Sequence, residues 1–267
     1  MILGGYLTTR PSHSSPSRQS RPPAVSAQPL EVGDRTLRTT NLGGSSQQAL
    51  LTRVAADIGQ AVGAVETFWG TDWPHEIDII ATGSQQQFVA KAGGGSAAQW
   101  GDIAAIAVAD RVDPAQRVAL GQRIVFAPGA AAMSEQALRM VLTHELFHYA
   151  ARADTAPDAP RWLTEGVADY LARPHTPLPE IAPPTALPSD AELAAPGPQR
   201  SQAYDRAWLF ALFIAVTRGP PTLRALYRAA CGDRHTDPAT AVHDVLGKDP
   251  AEIVAEWQQW LSRQPGR

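Results

Sequence analysis

One cysteine, Cys231, stands in a chain of 267 residues. No intrachain disulfide can form, and no cysteine-based metal site is possible. The shortage does not identify a compartment, since a secreted enzyme can do without disulfides, and Cys231 reads most simply as a small buried hydrophobe. An excess of charge of one sign is lacking too. The formal net charge is −3 with 18% charged residues, which excludes a general attraction to nucleic acid or to anionic membranes. No nucleic-acid partner is expected. Long apolar runs are missing: "AWLFALFIAV" at 207–216 has ten residues, about half of a membrane span, and reads as a buried core helix. The opening "MILGGYLTTR" has too few apolar residues for a complete signal peptide or span. It reads either as the end of a truncated anchor or as a terminus without a role, and membrane association is expected only in the first case. There is no internal repeat. The "GGGS" at 93–96 lacks the flanking strand and helix of a phosphate cradle.

What is present is enough apolar sequence, 44%, for one sizeable globular domain. Residues 1–40 are rich in Ser, Pro and Arg and poor in large apolar residues, so a flexible tail is expected there, with one domain over 41–267. From Ser46 a helical period places Leu50, Val54, Ile58, Ala61, Val65 and Trp69 on one face. "HEIDIIAT", "DIAAIAVAD" and "QRIVFAP" read as strands, the last stopped by Pro128-Gly129, and Ser84 caps a short helix. The character then changes to helices. Ser134 caps one through "EQALRMVLTHELFHYAAR", Pro160 opens "RWLTEGVADYLA", a third covers roughly 203–217, and Asp249, Pro250 and Glu252 start the last. Between them, 174–200 holds eight prolines and is expected to be mostly irregular, with a short helix at "DAELAA"; it either roofs a cleft or connects helices. The order, strands first and then helices, gives an α+β fold, with a sheet part over about 41–133 and a helical part over about 134–267.

The chemistry is concentrated in "VLTHELFHYAAR" (141–152). On a helix, positions i and i+4 lie one above the other, so His144 and His148 can aim two imidazoles at one point. Glu145, about 100° further round, can reach a water at that point without binding the metal. From the chain's own composition, a chance HExxH arises with a probability of roughly 0.007. The helix is apolar on nearly every side, so the three groups are expected to be buried, at a cost of several kcal/mol unless they have partners. Zinc (Zn2+) would supply one; backbone or side-chain hydrogen bonds are the alternative. Seventeen residues after His148, "WLTEGVADY" brings Glu165 and Asp169, again i and i+4. Glu165 is the candidate third ligand. Asp169 is the candidate acceptor for the distal nitrogen of a ligand histidine. Taken without the upstream motif, the same pair is the solvated face of an amphipathic helix. Gly166 would allow a close helix approach.

HELFH followed by WLTEGVADY resembles the gluzincin branch of zinc metallopeptidases, the peptidase MA-like group. The specific match covers 144–148 and 162–170, and weaker similarity runs over about 76–262. The resemblance implies a zincin-like fold with a small, mostly antiparallel N-terminal sheet packed on the active-site helix, zinc held by His144, His148 and Glu165, and Glu145 as base. It also implies a peptide or protein substrate and leans towards the bacterial cell envelope or exterior. A tyrosine opening the later long helix of that group makes Tyr204 the candidate for stabilising the oxyanion; Tyr170, His175, His235 and His243 compete. The strand "QRIVFAP" is either a sheet edge on which an extended peptide adds a strand or a covered interior strand. Two other readings stand beside the zinc peptidase: a zinc-binding interaction module with little or no turnover, and a helical interaction protein with a chance HExxH.

Overall fold

A computed structural model describes residues 25–26, 28–94, 103–173, 178–179, 181, 184–195 and 197–264. The first half carries strands β1 (Val25–Ser26), β2 (Leu30–Val32), β3 (Arg35–Asn41) and β4 (Glu76–Ala81), then β5 (Ala105–Val108), β6 (Arg111–Asp113), β7 (Val118–Leu120) and β8 (Arg123–Phe126). Helices α1 (Ser45–Trp69) and α2 (Gln85–Lys91) are interleaved with them. The second half is helical: α3 (Glu135–Ala151), α4 (Arg161–Ala172), α5 (Asp190–Ala194), α6 (Pro198–Arg218), α7 (Pro220–Cys231), α8 (Pro238–Leu246) and α9 (Pro250–Ser262). This is an α+β protein with a small N-terminal sheet and a mostly helical C-terminal part.

The main sheet has the order β1-β3-β4-β8-β5, with β2 also paired to β3. Its outer pairings are antiparallel, as expected, but the two central ones, β3–β4 and β4–β8, are parallel. The sheet is therefore mixed. Parallel neighbours need a crossover, and the amphipathic α1, which buries its whole apolar face from Leu50 to Trp69, supplies the first. β8 lies between β4 and β5, so "QRIVFAP" is a covered interior strand, and the free edge on that side belongs to β5.

The expected tail over 1–40 ends earlier than its composition suggested, because β2 and β3 lie inside it. Its first 24 residues, including the opening apolar stretch, lie outside the described residues. The inward positions of β3 are Arg35, Leu37, Thr39 and Asn41, so the strand shows almost no apolar alternation to read. Arg35 compensates for its burial with partners. Its guanidinium donates to Glu66 Oε1 at 2.9 and 3.0 Å and to the carbonyls of Thr71, Trp73 and Pro74, and it stacks 3.4 Å from the Trp73 ring centroid. One side chain thereby ties β3 to the end of α1 and to the turn that leads into β4.

α3 is the central helix. Ser134 Oγ accepts from Ala137 N at its start, and Leu138, Leu142 and Leu146 are fully buried. Tyr149 donates to the Glu76 carbonyl at 2.8 Å, fixing the helix to β4. α6 is a core helix, with Trp208, Leu209, Phe210 and Ile214 buried. Among the described residues no helix is long and apolar enough to cross a membrane.

Arg35→Ala strands Glu66 and three carbonyls around a cavity. It is expected to cost about 3–5 kcal/mol in urea unfolding; a loss below about 1 kcal/mol would show that β3 is held by its ladder alone.

Candidate metal centre

The chain between α3 and α4 is short, and the two helices run antiparallel: His148 faces Glu165 while His144, a turn earlier, faces Asp169. His144 Nε2 lies 3.1 Å from His148 Nε2 and 3.2 Å from Glu165 Oε2, and His148 Nε2 lies 3.4 Å from the same oxygen. Tetrahedral ligands at about 2.0–2.1 Å from zinc stand roughly 3.3–3.4 Å apart, so this triangle has the right edge. The three side chains are 14–17% exposed, shielded but reachable from one side. His144, His148 and Glu165 are the one group among the described residues whose donor atoms cluster tightly enough to hold a metal ion.

The tautomer of His144 follows from its other nitrogen. Nδ1 donates to Asp169 Oδ1 at 2.9 Å, so Nε2 is the nitrogen that faces the triangle and is left to bind a metal. Asp169 is itself held: Arg173, one turn on, pairs with its Oδ2 at 2.8 Å and reaches Asp205 on α6 at 3.0 Å. Burial opposes charge on His144, but Asp169 and Glu165 outweigh it and hold the imidazole pKa well above its usual value. Burial likewise opposes a charged Glu165, and the two imidazoles outweigh it, holding its carboxyl well below the ordinary range. The groups thus favour positive charge at the point where they meet.

Glu145, next to His144 on α3, turns towards β5 within the same cleft. Its Oε2 accepts the Ala107 amide of β5 at 2.7 Å. Burial raises its pKa, against the pull of both imidazoles and of that amide. Arg152, just past the end of α3, donates to the Ala107 carbonyl at 2.8 Å. One residue of the edge strand is therefore gripped at both backbone groups by side chains of the central helix region.

These residues line a cleft of about 950 Å³, with β5 along one wall and Tyr204 of α6 in another. The Tyr204 hydroxyl is kept protonated, its pKa raised first by burial and then by the charge of Glu165. Its rivals among the described residues stand elsewhere. Tyr170 packs edge-on against Phe68, His235 pairs with Asp158, His243 is exposed beside Asp244, and His175 lies outside the described residues. The close approach permitted by Gly166 is to α6: a Cβ there would meet the Ala207 carbonyl oxygen at 2.5 Å. That contact seats α6, which carries Tyr204 in the cleft wall, against α4.

Sequence reasoning missed Arg173 and the Ala107 backbone. The first was legible as an i, i+4 partner of Asp169. The second carries no side-chain signal at all. It also missed the arginines 152, 161 and 200, which line the cleft.

No protein-family model and no curated protein matches the sequence. Among solved structures, a point mutant of an M1 zinc metallopeptidase from Deinococcus radiodurans is similar at a TM-score of 0.47 and 14% identity, over 88% of this chain and 51% of that one. The chain thus spans about half the length of that structure.

Glu165→Ala removes one corner of the triangle and is expected to abolish stoichiometric zinc binding. Asp169→Asn is expected to weaken it about 10–100-fold. Competition with a chromogenic chelator measures both; undiminished affinity in Glu165→Ala would sink the ligand assignment.

Proposed function

We propose that this protein is a zinc-dependent peptidase of the gluzincin type, with zinc held by His144, His148 and Glu165. The observation that carries the reading is the triangle itself: three lone pairs with ligand spacing, beside a buried carboxylate that is not needed for binding. Zinc at that point would polarise a peptide carbonyl and lower the pKa of water to about 7. Glu145 is the base. Its raised pKa and its hydrogen bond from Ala107 suit a carboxylate that takes a proton from the attacking water and passes it to the leaving amine. Asp169 holds the His144 tautomer. Tyr204, protonated and facing the same cleft, donates to the oxyanion as charge develops there.

The substrate is a peptide or protein lying along β5. The Ala105 amide and carbonyl share the outward side with Ala107 in the antiparallel register with β8, so an extended chain can pair at that edge. The envelope or exterior of a bacterial cell is the expected location, resting on the family resemblance.

With a peptide library, Glu145→Gln is expected to retain about one zinc per chain while losing cleavage. Zinc without cleavage in the wild type would favour the interaction module, and no zinc in the wild type would overturn the reading. Tyr204→Phe is expected to lower kcat about 10–1000-fold with KM little changed; an unaltered kcat would remove Tyr204 from the mechanism.

A further inference from the structure

Three arginines repeat one relation to the site. Arg152 is one helical turn beyond His148, Arg161 one turn before Glu165, and Arg200 one turn before Tyr204. All three line the cleft. None has a carboxylate within hydrogen-bonding reach among the described residues. The nearest to Arg161 is Glu165 Oε1 at 3.9 Å, and the opposite oxygen of that carboxylate faces the histidines. Arg152 uses Nη2 on the Ala107 carbonyl and leaves a buried Nε without a partner. Arg200 uses Nε on the Ala195 carbonyl.

Among the described residues, the anions that line the cleft are already engaged. Asp110 pairs with Arg123 at 2.6 Å, Glu145 accepts the Ala107 amide, and Glu165 meets the two imidazoles. With a dication at the triangle, Glu145 and Glu165 would balance the metal, and among the described lining residues the three guanidinium charges remain. Arg161 meets its i, i+4 neighbour Glu165 only at 3.9 Å and is 38% exposed, so its donors are left for an incoming ligand. A cleft whose described lining leaves one sign uncompensated focuses its field on an incoming ligand of the other sign. The planar fork of an arginine with free donors matches a carboxylate held through two parallel hydrogen bonds.

We propose that Arg161, with Arg152 and Arg200 lining the same cleft, selects peptides carrying a carboxylate beside the bond to be cleaved, so that the substrate is an acidic peptide. The inference rests on the peptidase reading for the bond in question, but its recognition step is tested by binding alone. The carboxylate comes either from a glutamate or aspartate side chain or from the peptide's own C-terminus.

The experiment uses the full zinc-loaded chain with Glu145→Gln and three fluorescein-labelled peptides of otherwise common sequence. One has an internal glutamate and an amidated C-terminus, the second has glutamine there and a free C-terminal carboxylate, and the third has glutamine and the amide. At least one carboxylate peptide is expected to bind about tenfold or more tightly than the neutral one by anisotropy. Which one does so identifies the source of the carboxylate. The preference is expected to shrink as salt rises and to vanish when Arg161→Gln is added with zinc content unchanged. Arg161→Lys, which keeps the charge and the aliphatic stem, is expected to retain only a few-fold preference, and it decides the matter if Arg161→Gln fails to fold or loses zinc. Equal binding of all three peptides, or a preference undiminished by the Arg161 substitutions, overturns the proposal. Carboxylate preference without wild-type cleavage sinks the peptidase reading and leaves this one standing; cleavage without preference does the reverse.

Discussion

Two imidazole nitrogens and a carboxylate oxygen aimed at one point repel one another unless positive charge lies between them. The rest of the molecule is arranged around that convergence. His144 and His148 meet because they are a turn apart on α3, and Glu165 joins them because α4 folds back antiparallel. Asp169 then removes the remaining freedom of His144 by fixing its tautomer. In water the repulsion would be relieved by solvent. At 14–17% exposure it has to be relieved by a bound cation or a trapped proton.

The scaffold keeps this geometry by anchoring α3 on both sides. Towards the sheet, Tyr149 binds the β4 backbone and Glu145 with Arg152 clamps Ala107 of β5. Towards the helices, the missing side chain at Gly166 lets α6 sit against α4, and Arg173 bridges Asp169 to Asp205. A charge network thus runs from the histidines through α4 to α6, and Tyr204 on α6 faces the same cleft as the ligands. Metal geometry and the cleft wall depend on the same packing contacts.

Much of the local structure was legible. Capping at Ser84, Ser134 and Asp249 appears where the residue pattern calls for it, since a cap is a contact within one turn. The helix face from Leu50 to Trp69 is buried as its period requires. β3 was not legible, because its inward residues are polar and its buried arginine is satisfied by groups 31 to 39 positions away. Whether β5 or β8 forms the edge was open in the sequence for a related reason: both read as apolar runs, and strand order depends on pairing across the sheet.

At the candidate site the same division holds. The sequence alone determined which residues share a helical face, because i, i+4 spacing fixes direction within one element: His144 with His148, and Glu165 with Asp169. It also determined the helix caps and the change from strands to helices. Only the tertiary structure decided that the two faces meet at ligand distance, that Tyr204 rather than Tyr170, His235 or His243 faces the cleft, and that Ala107 meets Glu145. Those depend on how helices and strands separated by tens of residues pack, and on backbone groups that every residue carries alike.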